Sequence, residues 1–410
     1  MSAPDPLSEW SQTVSTAFPH LSRPQARVLA LWSYGMVLAK ACGITLVAAA
    51  LALQLGCKEA SLVQRLREWC YAAPDKKGAH RREVEVPLCF APLLCWLLSW
   101  WPIQEPRLAL ALDATTLSDR LTVLAISVLY RGCALPVAWK VVRAGAKGAW
   151  QPIWKDLLTR LHGCIPPHFL VVVMSDRGLY APWLYQQIVG LGWHPFLRIN
   201  QQGNVRPVQV NTFCPLSTLV PKPGSGWCGE VVCFSEPKSR LHCTLLARWE
   251  EGYKESWLVV TDLAPAQAQV MWYGMRSWIE QGFKDYKRGG WQWHQTKMTD
   301  PARAERLWLA MAVATLWVVS VGGEADVSLP VSTLDALPAT HIARRTRQSA
   351  SRPRLLSCFA RGLVAIIGAL IRGDGLVLGR FLPEPWPTGT PDYRKARGPL
   401  SAQPALEMAG

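Results

Sequence analysis

The twelve cysteines of this 410-residue chain contain no CxxC pair and no cysteine–histidine set at metal-ligand spacing. That absence excludes the zinc ribbons and fingers that many small DNA-binding domains use, and leaves no recognisable disulfide framework. Cys228 and Cys233, the closest two, read as small hydrophobes in a strand-like segment, and the expectation is reduced thiols in a cytoplasmic protein. Acids are also scarce: 29 Asp and Glu stand against 44 Lys and Arg, a formal charge of +15. A balance this basic points to a polyanionic partner, most simply nucleic acid. The N-terminal MSAPDPLSEW lacks the basic-then-apolar order of a secretion signal. Charge-free runs are short for a bilayer span of about 20 residues. Ala41 to Cys57 and Leu307 to Gly323 have 17 residues each, and the 19 residues from Val86 to Gln104 contain three prolines. They read as buried helices of a tryptophan-rich soluble protein, an integral membrane protein being the competing reading, and no membrane partner is expected. No internal repeat is present.

What is abundant is apolar residues, half of the chain, together with 21 tryptophans. This excludes a disordered protein and supplies a large core, with some tryptophans left over that could stack on bases. From Arg107 the order reads as strand, strand, strand, helix, strand, helix, strand: RLALALDATT, LTVLAISVLY, CALPVAWKVV, WQPIWKDLLTRLHG, FLVVVMSDRG, APWLYQQIVGLG and HPFLRIN. Two of these strands end on an acid, Asp113 and Asp176. An acid at the tip of a buried strand is poorly explained by packing alone. Asp119, in the turn after the first strand, reads as a solvated acid.

A third acid lies in YGMRSWIEQGFKDYK, from Tyr273 to Lys287. Placed on one α-helix at about 100° per residue, Tyr273, Arg276, Glu280, Lys284 and Lys287 fall within roughly 80° of one another. Met271, Met275, Trp278, Ile279 and Tyr286 form the opposite, apolar side. One carboxylate among three cations and a phenol suits a divalent cation beside a polyanion; a solvated charged face is the plainer alternative.

These residues resemble the DDE triad and the Y-x2-R-x3-E-x6-K signature of bacterial insertion-sequence transposases of the insertion-sequence-4 group. Tyr273, Arg276, Glu280 and Lys287 fill every signature position, and Asp113-Ala-Thr-Thr and Asp176-Arg-Gly resemble the motifs around the first two acids. The resemblance spans about residues 107–306. It implies a ribonuclease-H-like α/β catalytic core at 106–323, with a β-rich insertion at about 201–262. It further implies Mg²⁺, with Mn²⁺ able to substitute, held by Asp113, Asp176 and Glu280. Arg276, Lys284, Lys287 and Arg198 are candidate phosphate grips, and Tyr273 a hydrogen-bond donor to phosphate; the resemblance makes Trp257 a platform for a flipped base, an ordinary core tryptophan being the alternative. The implied partners would be double-stranded DNA, as terminal inverted repeats and target, and a second copy of the chain in a synaptic dimer. The location would be the bacterial cytoplasm, at the nucleoid. Cut-and-paste transposition through a hairpin is the expected activity. A structure-specific nuclease without strand transfer, or a domesticated DNA-binding protein that no longer cleaves, are the alternatives.

Residues 1–105 read as a helical DNA-binding domain. Ser22-Arg-Pro-Gln resembles a helix start. KEASLVQRLREW is either the second helix of a helix-turn-helix-like unit, with Ser61, Gln64, Arg65 and Arg67 facing DNA, or a solvated amphipathic helix. The basic loop from Lys76 to Arg82 either contacts phosphates or links two elements. Residues 324–410 read as a basic C-terminal region with a dimerisation role, carrying Arg344, Arg345, Arg347, Arg352 and Arg354. An apolar helix, GLVAIIGALI, and a partly disordered tail from Leu382 complete it.

Overall fold

A computed structural model describes residues 5–77, 81–146, 150–251, 253–327 and 356–388. Five helices come first: α1 (Pro6–Ala17), α2 (Arg23–Ala39), α3 (Ile44–Leu55), α4 (Glu59–Trp69) and α5 (Phe90–Ser99). Then follow β1 (Arg107–Leu117), β2 (Leu121–Tyr130), β3 (Cys133–Arg143), α6 (Gln151–Leu161), β4 (Leu170–Ser175), α7 (Pro182–Gly190) and β5 (His194–Arg198). Next are β6 (Asn204–Pro207), β7 (Cys214–Pro215), β8 (Gly226–Cys233), β9 (Leu241–Arg248) and β10 (Trp257–Thr261). The last helices are α8 (Trp278–Lys284), α9 (Pro301–Ala325) and α10 (Cys358–Arg372). The fold is therefore mixed α/β, with extensive sheet. The described residues fall into two compact units, one of 5–172, 275–327 and 356–385, the other of 173–274 and 386–388.

In the first unit β3, β2 and β1 pair antiparallel in that order, and Asp113 stands opposite Ala125. Every residue of β2 is buried, which is why its sequence is apolar apart from Thr122 and Ser127. The start of α2 matches the sequence expectation: Ser22 and Gln25 form a reciprocal capping box, with a proline in the first turn. α9 is the central helix. Its Trp317 stacks on Trp10 of α1 at 4.5 Å and on Tyr34 of α2 at 5.7 Å. Its Glu305 accepts the Val141 N–H of β3 at 3.0 Å. Arg306 donates to the carbonyls of Val84 and Cys70 and to Glu83. Gly322 of α9 and Gly362 of α10 lie so close that a Cβ on either would overlap the other helix's backbone.

By length and composition α9 could cross a membrane, and α2 with α3 passes the same test as a pair bent by 92°. In the protein 94% of the apolar window of α9 is buried.

The boundary expected near residue 105 does not coincide with a division of the molecule. α1 to α5 belong to the unit that holds β1–β3 and α9: α1 and α2 stack aromatic rings on Trp317 of α9, α3 and α4 pack with α2, and α5 packs on β3. Ser61, Gln64, Arg65 and Arg67 form the exposed side of α4. The start of the C-terminal tail differs from expectation. Phe381 packs on Tyr130, its N–H donates to the Trp100 carbonyl, and Leu382 N–H donates to the Tyr130 hydroxyl. The five C-terminal arginines from Arg344 to Arg354, and the tail beyond residue 388, lie outside the described residues.

The second unit is built on β5-β10-β9-β8-β6-β7, with each neighbouring pair antiparallel. β6 to β10 all fall within the segment expected to be β-rich. Cys233 and Cys243 lie buried with their sulfurs 3.8 Å apart.

Candidate active site

In the first unit, Asp113 and Glu280 come together through one side chain. Asp113 stands on β1, and its Oδ1 accepts the N–H of Ala114 at 2.8 Å. Its Oδ2 accepts from Nη2 of Arg276 at 2.6 Å, across 163 residues of chain. Nη1 of the same guanidinium donates to Oε1 of Glu280 at 3.0 Å. Arg276 is only 5% exposed, while both carboxylates keep part of their surface open. α8 can lie on β3 because Gly282 faces Ala134; a Cβ there would come within 2.9 Å of the Ala134 methyl. That contact sets the height of Glu280 beside the sheet.

The segment from Tyr273 to Lys287 is not the single α-helix expected. Val270–Ser277 winds as a 3-10 helix, α8 covers seven residues, and Asp285–Gly289 is a π-turn. All six residues from Val270 to Met275 are buried, so no solvent face selects a 3.6-residue period there. After α8, the N–H groups of Gly290 and Trp291 both converge on the Asp285 carbonyl and widen the turn. Arg276 and Glu280 keep their i,i+4 relation. Lys284 is exposed, whereas Lys287 sits half-buried on the π-turn, where burial and the neighbouring Arg288 lower its pKa. Asp119 is exposed in the β1–β2 turn.

The second unit carries Asp176, Arg198, Trp257 and Tyr273. Asp176 follows β4 directly, and its Oδ1 accepts from the N–H groups of Gly178 and Leu179 at 3.0 and 3.2 Å. The local DRG sequence thus folds as an Asx turn, a role that any well-placed Asp could fill. Arg198, expected as a phosphate grip, is 2% exposed in this conformation. It donates to the Ser256 carbonyl and pairs with Glu255 at 3.4 Å, which Arg177 also binds at 2.8 Å.

Trp257, expected to offer an open platform, is 7% exposed, with its ring edge-on to Tyr253 and Tyr273, each at 5.4 Å. Tyr273 is itself buried. This packing sets an expected result. Trp257→Ala should lower stability by about 3–5 kcal/mol and Trp257→Phe by less, as read by urea unfolding. Unchanged stability would show that the indole is not part of the core.

Sequence reasoning missed Asp285. It is buried, its Oδ1 accepts from Gln281 Nε2 at 3.0 Å, and burial pushes its pKa up to about 7. The Gln281/Asp285 spacing of four was the available signal.

Among the described residues no group of three or more His, Cys, Asp or Glu side chains is arranged to hold a metal. The Asp113 and Glu280 pair already shares one cation, and carboxylate oxygens are the donors that hard divalent ions take.

No family model and no curated protein matches the chain. Seven chains of solved structures do. One is a piggyBac transposase in a synaptic complex with hairpin DNA, 10% identical, covering 76% of this chain and 77% of its own, with a TM-score of 0.34.

Proposed function

We propose that the chain is a DNA transposase of the DDE type, built on a ribonuclease-H-like core, that cleaves and joins DNA at element ends. The observation that carries this reading is the convergence of Asp113 and Glu280 on one guanidinium, from a strand and a helix far apart in sequence. Two acids so placed, in a chain of net charge +15, suit phosphodiester chemistry better than they suit packing. The complete tyrosine, arginine, glutamate and lysine signature supports the same assignment.

In this reading Asp113, Glu280 and Asp176 are the acids that would hold Mg²⁺. The metal would activate the attacking oxygen and relieve charge on the leaving one. The protein's own residues bind and orient the strand. Lys284 lies exposed one turn beyond Glu280, open to a backbone phosphate, and Arg276 offers the planar fork that phosphate oxygens match. Arg198 and Trp257 would contribute only after leaving the buried positions described above. Inverted repeats at the element ends, a synaptic dimer, a hairpin intermediate and a place at the bacterial nucleoid complete the proposal.

The test is incubation with Mg²⁺ and a duplex carrying the DNA that flanks the gene, followed by gel separation of nicks, breaks and joined products. Nicking without joining would favour a nuclease, and no cleavage of any duplex would remove the proposal. Binding should also be strongly salt-dependent. With six to ten phosphates neutralised, affinity should fall by about 10³–10⁵ between roughly 50 and 200 mM salt, measured by fluorescence anisotropy. A flat response would point away from nucleic acid as the main ligand.

A further inference from the structure

The Asp113–Arg276–Glu280 bridge bears directly on how the site takes up a cation. Arg276 reaches both carboxylates with separate N–H groups, at 2.6 and 3.0 Å, while itself almost wholly buried. These are the same acids that the transposase reading assigns to Mg²⁺, and the inference rests on that reading. A guanidinium and a divalent ion placed on the same oxygens repel each other, and partial burial strengthens that repulsion. We propose that Arg276 is a built-in counter-ion that a divalent cation must displace, and that a nucleic-acid phosphate is the group that draws it away.

Three features favour this. Arginine cannot be deprotonated in a protein, so it leaves the acids only by exchanging them for another anion. Its planar fork makes the same paired hydrogen bonds to phosphate as to carboxylate. The exposed Lys284 stands one turn from Glu280, where it attracts such an anion. Without the guanidinium, the two carboxylates would lose the cation they share and would favour another in its place. Cation uptake and DNA binding are then linked, each strengthening the other by the same factor. A protein away from DNA carries a neutralised site instead of a loaded one.

The experiment uses the full chain and Mn²⁺, with free ion followed by electron paramagnetic resonance, in the presence and absence of a short DNA duplex. Wild type should bind Mn²⁺ about tenfold more tightly with the duplex than without it. Arg276→Gln should reach that affinity without DNA and gain nothing further from it, and Arg276→Gln/Glu280→Gln should lose the gain. Equal Mn²⁺ affinity in wild type and Arg276→Gln overturns the proposal. If circular dichroism shows that Arg276→Gln does not fold, Arg276→Lys decides. Lysine is shorter and presents one nitrogen where the guanidinium presents two, so its hold on the two acids is weaker; Mn²⁺ should bind several-fold more tightly than to wild type, and no gain overturns the proposal. Metal-dependent DNA cleavage by wild type, together with unaltered Mn²⁺ affinity in the Arg276 variants, would sink this inference and leave the transposase reading standing. No cleavage and no Mn²⁺ binding dependent on Asp113 or Glu280 in any variant would remove both.

Discussion

Asp113→Asn, Asp176→Asn and Glu280→Gln should each reduce DNA cleavage by about a thousandfold or more. Loss of a carboxylate that holds the catalytic ion removes several kcal/mol of transition-state stabilisation, and about 4 kcal/mol corresponds to that factor. Duplex binding without added metal should persist in all three variants, because a carboxylate is not itself a phosphate ligand. The three variants should differ in stability. Asp113→Asn and Glu280→Gln each weaken a charge-assisted bond to the buried Arg276, at a cost of about 1.5–3 kcal/mol. Asp176→Asn keeps an Oδ1 that can accept from Gly178 and Leu179, so its turn survives. Cleavage assays beside urea unfolding separate the two effects. Normal cleavage by any of the three would remove that residue from the site.

The second large effect is a pH dependence of stability centred on Asp285. Its carboxyl ionises near pH 7 in the folded protein against an ordinary value of 3.8, because burial disfavours the charge. Below about pH 4 the folded and unfolded states both carry the proton, and the folded state loses nothing. Between about pH 4 and 7 the unfolded chain releases its proton while the folded one keeps it, so stability falls. The loss approaches about 1.4 kcal/mol per pH unit and totals about 4 kcal/mol. Asp285→Asn keeps an acceptor for Gln281 and removes the titration. Unfolding free energies of the variant and wild type should therefore diverge steadily as pH rises from 4 to 7, with the variant more stable. Parallel profiles would mean that Asp285 is not held protonated.

Much of the sheet could be read directly from the sequence. LTVLAISVLY is β2 to the residue, and CALPVAWKVV falls one residue short of the end of β3. Apolar runs bounded by Gly, Asp or Arg turns leave little freedom in where a strand starts and stops. The helix start at Ser22 was equally clear, since a cap is a local interaction, and the structure adds the reciprocal bond from Gln25.

What was not legible depended on long-range packing. The helical wheel drawn through Tyr273 to Lys287 assumed one period, and six consecutive buried residues followed by a π-turn removed it. Arg198 is assigned to phosphate by its charge, and Trp257 to a flipped base by the resemblance. Their burial depends on Glu255, Tyr253 and Tyr273, which no local pattern reveals. The Asp113–Arg276 bond, spanning 163 residues, is of the same kind. Only the Arg276–Glu280 half was visible, as an i,i+4 pair.

The position of α9 sets an order of events during synthesis. α1 and α2 bury their aromatic rings on Trp317, about three hundred residues later in the chain, and β3 anchors on Glu305. Until that helix leaves the ribosome, the first three quarters of the chain has no surface on which to close those faces. The nascent N-terminal helices must therefore wait exposed, and closure carries the loop entropy of very distant contacts. An emerging apolar α9 also presents the kind of segment that membrane-insertion machinery and chaperones compete for. Refolding from denaturant should accordingly be slow and concentration-limited, and N-terminal fragments ending before Pro301 should aggregate when expressed alone.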